Sequence, residues 1–380
     1  MTSSYHLEDR GKCNKNTSAN THNVPKLRFK GYNDEWVEKR IEKVLKIKHG
    51  KDQKAIENND GIYPILATSG EIGRSNTFLW DKPCVLIGRK GTINKPQYMD
   101  TPFWTVDTLF YSDVFQNNNA KYLYYLFNTI NWKKYDESTG VPSLSAKTIE
   151  RIKIKISNNL REQEKIASFL TLIDKKNEKQ KELVELLKKY KRGLLSAIFS
   201  QKLRFKDDNG NDYPAWEEKR LENILKIKHG KSQKEIECNN GKYPILATGG
   251  EIGRTNSYLW DKPCVLIGRK GTIDKPQYMD TPFWTVDTLF YSEVFKENNA
   301  KYLYYLFNTI NWKKYDESTG VPSLSAKTIE RIKVTLSINY SEQFTISKIL
   351  SKFDDKIQQE EFILKKLQNY KKGLLQQMFI

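Results

Sequence analysis

Two stretches of the chain carry apolar residues at the spacing of one helix face. From Arg161 to Phe199 the positions Ile166, Phe169, Ile173, Leu183, Leu187, Tyr190 and Leu194 are separated by three, four or sums of the two. Near the C-terminus Ile346, Ile349, Phe353, Ile357, Leu364, Leu367, Tyr370 and Leu374 repeat the pattern. Each predicts a long amphipathic helix, about 58 Å long if some 39 residues rise 1.5 Å each. Asn159 with Glu162 and Asn339 with Glu342 have the spacing of a capping box at the two starts. Gly193 and Gly373 lie near the far ends, where a glycine costs about 1 kcal/mol in a helix interior, so close packing or a frayed end is expected there. Ahead of each helix the pattern changes. Tyr63–Thr68, Pro83–Ile87 and Phe103–Tyr111 are β-branched and aromatic runs between Gly, Pro and Asn, and read as strands. Ala120–Ile130 reads as a buried helix, giving a globular domain of α/β or α+β class.

The whole pattern is written twice, at an offset of 180: Trp36 matches Trp216, His49 matches His229 and Tyr190 matches Tyr370. Residues 118–153 recur unchanged at 298–333, and only 14 of the 110 positions from Val44 to Lys153 differ. A period this long marks a duplicated domain and not a solenoid unit. The expected organisation is a disordered polar tail (1–25), a globular head (26–157), a helix (158–200), a second head (201–337) and a second helix (338–380). The shortest unknotted return packs the helices antiparallel. Two similar heads then sit apart on a two-helix coiled-coil spacer, related by a pseudo-two-fold axis. The helices have diverged far more than the heads, as if the heads were a recently copied cassette and each helix kept contacts of its own.

Charge narrows the partner. Lys and Arg number 64 against 46 Asp and Glu, a net +18, which favours a polyanion. No run of 18 apolar residues offers a membrane span, and the polar first residues have no apolar core of a secretion signal. Cytoplasmic location and no membrane partner are expected. The cysteines, Cys13, Cys84, Cys238 and Cys264, form no CxxC pair and no cluster with histidine, so no zinc site is expected; Cys84 and Cys264 lie in apolar runs and read as core. Catalytic signatures are missing too. There is no Asn-Pro pair from which an adenine-methyltransferase motif could be built, no GxGxxG after a strand, and no HExxH, GxSxG or Walker loop. The chain is expected to bind no cofactor or metal and to catalyse nothing itself.

A two-headed basic object suits duplex DNA, where protein symmetry mirrors half-site symmetry. Major-groove readout needs Arg or Lys for guanine and Asn or Gln for adenine, and phosphates need cations and loop amides. Three loop stretches supply these in both copies. The first offers Lys48, His49, Lys51 and Gln53, repeated as Lys228, His229, Lys231 and Gln233. In the second, Gly70 and Gly73 are expected to bracket a turn that presents Arg74 and Asn76, repeated as Arg254 and Asn256, with Ser69 replaced by Gly249. The third is Gly88–Thr92, whose Arg89, Lys90 and Thr92 recur as Arg269, Lys270 and Thr272 and suit a phosphate contact. Farther on, Lys133, Ser138 and Thr139, repeated as Lys313, Ser318 and Thr319, are candidates to approach DNA, while Pro142 and Leu144 hold their loop down. The aromatic Tyr122–Phe127 offers stacking surface, but at helical spacing it reads as core.

Several short motifs fall in one order, twice. Pro25–Phe29 leads to Trp36, and Lys202–Phe205 to Trp216. Gly140–Leu144 and Gly320–Leu324 precede helices that open with Glu162–Gln163 and Glu342–Gln343 and close with Tyr190–Leu195 and Tyr370–Leu375. In this order the chain resembles the specificity subunits of type I restriction–modification enzymes. The resemblance implies target-recognition domains that each read half of a split, double-stranded DNA site. It implies spacer helices on which two adenine-N6 methyltransferase subunits dock, joined by restriction subunits in the full complex. AdoMet, ATP and Mg then belong to those partners, and the setting is the bacterial cytoplasm at the nucleoid. Most such subunits carry two unlike recognition domains; here they are nearly the same, so the expected target is a bipartite palindrome. A stand-alone two-headed DNA-binding regulator, and an enzyme with an unfamiliar site, are the competing readings.

Overall fold

The computed structural model describes residues 7–9 and 23–380. It contains two compact units, one of residues up to Lys181 with Phe362–Ile380, the other Glu182–Glu361. Residues 1–6 and 10–22, including Cys13, lie outside the described residues. Within the stretch expected as a disordered tail, Leu7–Asp9 (β1) instead pairs antiparallel with Leu27–Phe29 (β2).

In the first unit Val37–Arg40 (β3) and Leu45–Lys48 (β4) lead to a hairpin of Tyr63–Ala67 (β5) and Gly70–Ser75 (β6). Cys84–Gly88 (β7), Gln97–Met99 (β8), Trp104–Thr105 (β9) and Leu109–Val114 (β10) follow. Then come Ala120–Phe127 (α1), Ala146–Arg151 (α2) and Lys153–Ile156 (β11). One sheet has the order β4-β10-β7-β8, all antiparallel; a second has β6-β5-β9, and β11 pairs with β3. Only β5 and β9 run parallel, so the head is α+β.

β7 explains why Pro83–Ile87 reads as an unbroken apolar run: all five of its residues are buried. Alternate side chains face opposite ways. Val85 and Ile87 join Leu123 and Tyr125 of α1 in the main core, whereas Cys84 and Leu86 pack with Leu66 and Phe103 on the other face. Tyr122, Tyr125 and Phe127 are fully buried, so the aromatic helix is core. The single strand expected over Phe103–Tyr111 is two. β9 extends the hairpin sheet, the Val106 amide bonds Leu66 O, and a turn closed by Leu109 N on Val106 O carries the chain into the larger sheet.

The second unit repeats these elements: Glu217–Arg220 (β12), Leu225–Lys228 (β13), Tyr243–Ala247 (β14), Gly250–Thr255 (β15), Cys264–Gly268 (β16), Gln277–Met279 (β17), Trp284–Thr285 (β18), Leu289–Val294 (β19), Ala300–Phe307 (α4), Ala326–Arg331 (α5) and Lys333–Leu336 (β20). Its sheets have the orders β13-β19-β16-β17 and β15-β14-β18. Two long helices accompany the heads, Leu160–Phe199 (α3) and Tyr340–Met378 (α6), and each unit holds half of each. In the first unit Ile166, Phe169 and Leu170 of α3 share a core with Leu374 and Met378 of α6, and Lys371 reaches Asp174 at 2.5 Å. In the second, Tyr190 stacks on Phe353 with centroids 5.4 Å apart, and Ile198 packs with Ile346 and Leu350. In both units the helix halves run antiparallel.

Two expectations about the helices are corrected. The capping box is half made: Glu162 N donates to Asn159 Oδ1 at 3.3 Å, but the Glu162 carboxylate turns into the head. There it accepts Arg28 Nε at 2.6 Å and Nη2 at 2.9 Å, and Ser157 Oγ. Glu342 does the same with Arg204 at 3.0 and 3.2 Å, and also accepts from Trp216 Nε1 at 3.0 Å. A buried carboxylate satisfied by a guanidinium fork is worth more than a bond to a solvent-side amide. The glycines differ as well. Gly193 and Gly373 are helical residues with the helix continuing beyond them, and no atom lies within 4 Å of where a Cβ would stand; neither close packing nor fraying accounts for them.

Candidate nucleic-acid interface

The turn after β7 is the best-built of the loop candidates. Gly91 has φ +83, and a Cβ on Gly88 would overlap the Thr92 carbonyl, so the turn needs both glycines. It is laddered to residues 136–144: Gly91 N donates to Pro142 O at 2.8 Å and Leu144 N to Arg89 O at 2.9 Å. The far loop is pinned by Asp136, whose Oδ1 accepts from Ser143 N at 2.9 Å, Ser138 N at 3.1 Å and Ser138 Oγ at 2.8 Å. The backbone amides of Ser143 and Ser138 hold the Asp136 carboxyl below the usual range. Asp316 is held the same way. The two loops thus form one rigid ledge in each head, preorganised for a ligand.

The ledge gathers part of the candidate set. Lys90, Thr92, Lys133 and Thr139 are exposed on it or beside it. Arg89 is tethered instead, with Nη1 paired to the Asp107 carboxylate and 3.3 Å from the Asp107 carbonyl, and Arg269 is tethered likewise to Asp287. Ser138 spends its hydroxyl on Asp136, as Ser318 does on Asp316 at 2.9 Å. Leu144 is buried, whereas Pro142 holds the ledge through its carbonyl and is itself exposed. His49 is exposed and edge-on to Phe110 at 4.9 Å. In the second head His229, Arg269 and Lys270 line one cavity of about 420 Å³ together with Glu317 and Lys327. Lys327 and its counterpart Lys147 were missed in the sequence, where they sit on an ordinary helix turn without glycine or aromatic neighbours.

The remaining candidates are more dispersed. Lys51 is exposed, and its carbonyl accepts from Trp104 Nε1 at 3.0 Å; Gln53 is half-buried and caps a turn through its carbonyl. Lys231 and Gln233 repeat these roles. The turn expected between Gly70 and Gly73 is strand β6. The hairpin turns at Thr68–Ser69, where β5 ends opposite Gly70. That places Ser69 near the ledge, since Thr68 Oγ1 is 3.8 Å from a Cβ built on Gly91. It sends Arg74 to the other end of the hairpin, paired with Glu71 at 3.0 Å. Arg254 pairs with Glu251 at 2.9 Å, and Asn256 accepts from Lys242 N at 3.2 Å; Asn76 is exposed. Lys48 lies 3.8 Å from Asp113, and Lys228 2.9 Å from Glu293.

No His, Cys, Asp and Glu cluster suited to a metal occurs among the described residues. Burial pushes the Cys84 and Cys264 thiols up to about 12, as befits inert core residues. No helix among them is long and apolar enough to cross a membrane.

Known proteins share this organisation. The type I restriction modification DNA specificity domain matches twice, over residues 33–189 and 214–369. The type I restriction enzyme MjaIX specificity subunit of Methanocaldococcus jannaschii is 33% identical over 141 residues, 33% of this chain and 32% of that protein. The MjaVIII specificity subunit of the same organism is 30% identical over 128 residues, 31% and 30% of the two chains. The chain therefore spans about a third of the length of these curated relatives. A crystal structure of a type I restriction–modification system S subunit from M. genitalium has the same fold, with TM-score 0.71 over 94% of this chain and 99% of that one at 20% identity. The matched family is one of DNA recognition, in keeping with a chain that is not itself an enzyme. Since its model covers both heads and most of both long helices, the chain belongs to the type I restriction–modification DNA specificity family.

Proposed function

We propose that this chain reads a bipartite duplex DNA target, one half-site per head, and lends that specificity to adenine-N6 methyltransferase and restriction subunits in the bacterial cytoplasm. The carrying observation is the double family match, on two heads that present the same ledge of Lys90, Thr92 and Lys133. A loop backbone held this firmly loses little freedom on meeting a groove, although the exposed lysine side chains still lose theirs. Because the heads are near copies, the half-sites are the same sequence on opposite strands, and the target is a palindrome or nearly one.

The helices supply the docking surface for two methyltransferase subunits. Leu186, Tyr190, Gly193, Leu194 and Ala197 line an open, largely apolar groove on α3, and Leu186 is 63% exposed. Such patches mark partner sites. AdoMet, ATP and Mg work on the partner subunits. No residue of this chain is assigned to them.

Single-molecule sequencing of DNA from cells that express the chain with its cognate methyltransferase tests the reading. The expected result is N6-methyladenine in a split palindromic motif. A split but asymmetric motif keeps the specificity role and removes the palindrome. No new methylation, with the partner verified, overturns the role in favour of a stand-alone DNA-binding regulator.

A further inference from the structure

The heads are near copies in sequence, but their cations are not equally engaged. Two of the 14 differences between residues 44–153 and 224–333 give the second head a closer carboxylate at the counterparts of Lys48 and Lys133; Asp52, replaced by Ser232 beside Lys231, spends its carboxylate on the Lys54 amide. Where the first head has Asn94, the second has Asp274, whose carboxylate stands 3.4 Å from Lys313. Among the described residues no carboxylate lies within ion-pair distance of the matching Lys133. Where the first head has Asp113, 3.8 Å from Lys48, the second has Glu293. The extra methylene brings that carboxylate to 2.9 Å from Lys228, and the lysine holds the Glu293 carboxyl below its ordinary range. The ledge itself offers no compensation, since Gly88–Thr92 and residues 118–153 are identical in the second copy; the cations gained by the second head, Lys242 for Ile62 and Lys296 for Gln116, lie outside it.

Resting on the reading that the heads bind DNA, we propose that they grip its backbone unequally. The first head presents Lys133, and Lys48 in a looser pair with Asp113, to phosphates. The second keeps Lys228 and Lys313 engaged with Glu293 and Asp274, and those carboxylates also repel the phosphates the lysines would meet. Both heads still read the same bases, because phosphate contacts position a protein without carrying sequence information. Exposed pairs of this kind are individually weak, so the second head is loosened and not disabled. On a symmetric target the chain is then anchored by its first head, and the second completes the complex.

Residues exchanged between matching positions are already tolerated by this fold, so the test swaps them in the full chain. Asp274→Asn with Glu293→Asp makes the second head like the first; Asn94→Asp with Asp113→Glu does the reverse. Affinity for a mixed-sequence duplex is measured across a salt series. Glu218→Gln serves as a control, since it removes a carboxylate whose partner, Lys333, is outside the interface. The expected order of affinity is the first variant, wild type, then the second. The slope of log affinity against log salt should steepen by up to about one per lysine released. Equal slopes for all versions, or a Glu218→Gln effect as large as that of the first variant, overturns the proposal. If no version, wild type included, binds duplex, DNA reading fails and the inference falls with it.

Discussion

The heads and the helices of this chain were duplicated together but have kept very different amounts of their likeness. Of 110 compared head positions 96 are identical, since 14 differ, whereas α3 residues 160–199 and their counterparts 340–379 share 13 of 40. The survivors are informative. Glu162 and Gln163 are fully buried at the junction with the head, where Gln163 Nε2 donates to Ser157 O at 2.8 Å and Oε1 accepts Asn119 N at 2.8 Å. Ile166 and Leu170 pack into the core. Asp174 accepts Tyr125 OH at 2.8 Å and pairs with Lys371; Asp354 accepts Tyr305 OH at 2.6 Å and pairs with Lys191. A helix that must fit a nearly constant head thus retains the residues that touch it and varies elsewhere. Tyr190, which packs on Phe353 of the other helix, is retained as Tyr370, and Gly193 and Gly373 are retained although no atom lies within 4 Å of where a Cβ would stand on either.

The sharpest way to break this comparison is at the junction. Glu162→Ala strands Arg28, which is only 6% exposed. Removing one partner of a buried pair costs roughly 3–5 kcal/mol, so denaturant unfolding should lose that much from the first unit. Glu342→Ala should cost less on the arginine side, because Arg204 is 28% exposed and water can replace the carboxylate. Equal and negligible losses would show that the junction does not hold the helix to the head.

A smaller effect is expected about three turns further along the helix. Asp174→Asn weakens the bond from Tyr125 and leaves Lys371 without its ion pair, at about 1–2 kcal/mol. A double-mutant cycle with Lys371→Met isolates the pair, and the Asp354 and Lys191 cycle should return a similar coupling. Coupling near zero in both would mean that these retained residues owe their identity to something else.

Gly193→Ala should raise stability by about 0.5–1 kcal/mol, since the position is helical and open. The same methyl group enters the apolar groove of α3. Under the docking proposal it weakens capture of the methyltransferase in a pull-down, even as melting temperature rises. A more stable chain that docks unchanged would separate the glycine from docking.

The least disruptive probe is acid. The Asp136 carboxyl is held low by the Ser143 and Ser138 amides, so its ionised form favours the folded loop. That contribution is complete above the ordinary aspartate value and disappears as pH falls through the lowered one. Hydrogen exchange at Ser143 should stay protected through mild acid and open only below the usual aspartate range, in parallel with Ser323 of the second head. Opening at the ordinary value would remove Asp136 as the pin.

The sequence by itself determined the duplication, both long helices to within two residues of their starts, the strands at Pro83–Ile87 and Tyr63–Thr68, the basic charge and the family. These follow from periodicity, composition and order, which are local or additive along the chain. It went wrong wherever a residue had two plausible partners. Glu162 fits a capping box by spacing, but only the folded head brings Arg28 to it. Gly70 and Gly73 look like a turn until β5 pairs across them. Phe103–Tyr111 looks like one strand, although two sheets compete for it. The assembly of residues 88–92 and 136–144 into one ledge, the tethering of Arg89 by Asp107, and the uneven pairing of matching lysines in the two heads were likewise decided by tertiary structure. Hydrogen bonds and ion pairs depend on which groups are brought within about 3–4 Å, and that distance is set by segments far apart in the chain.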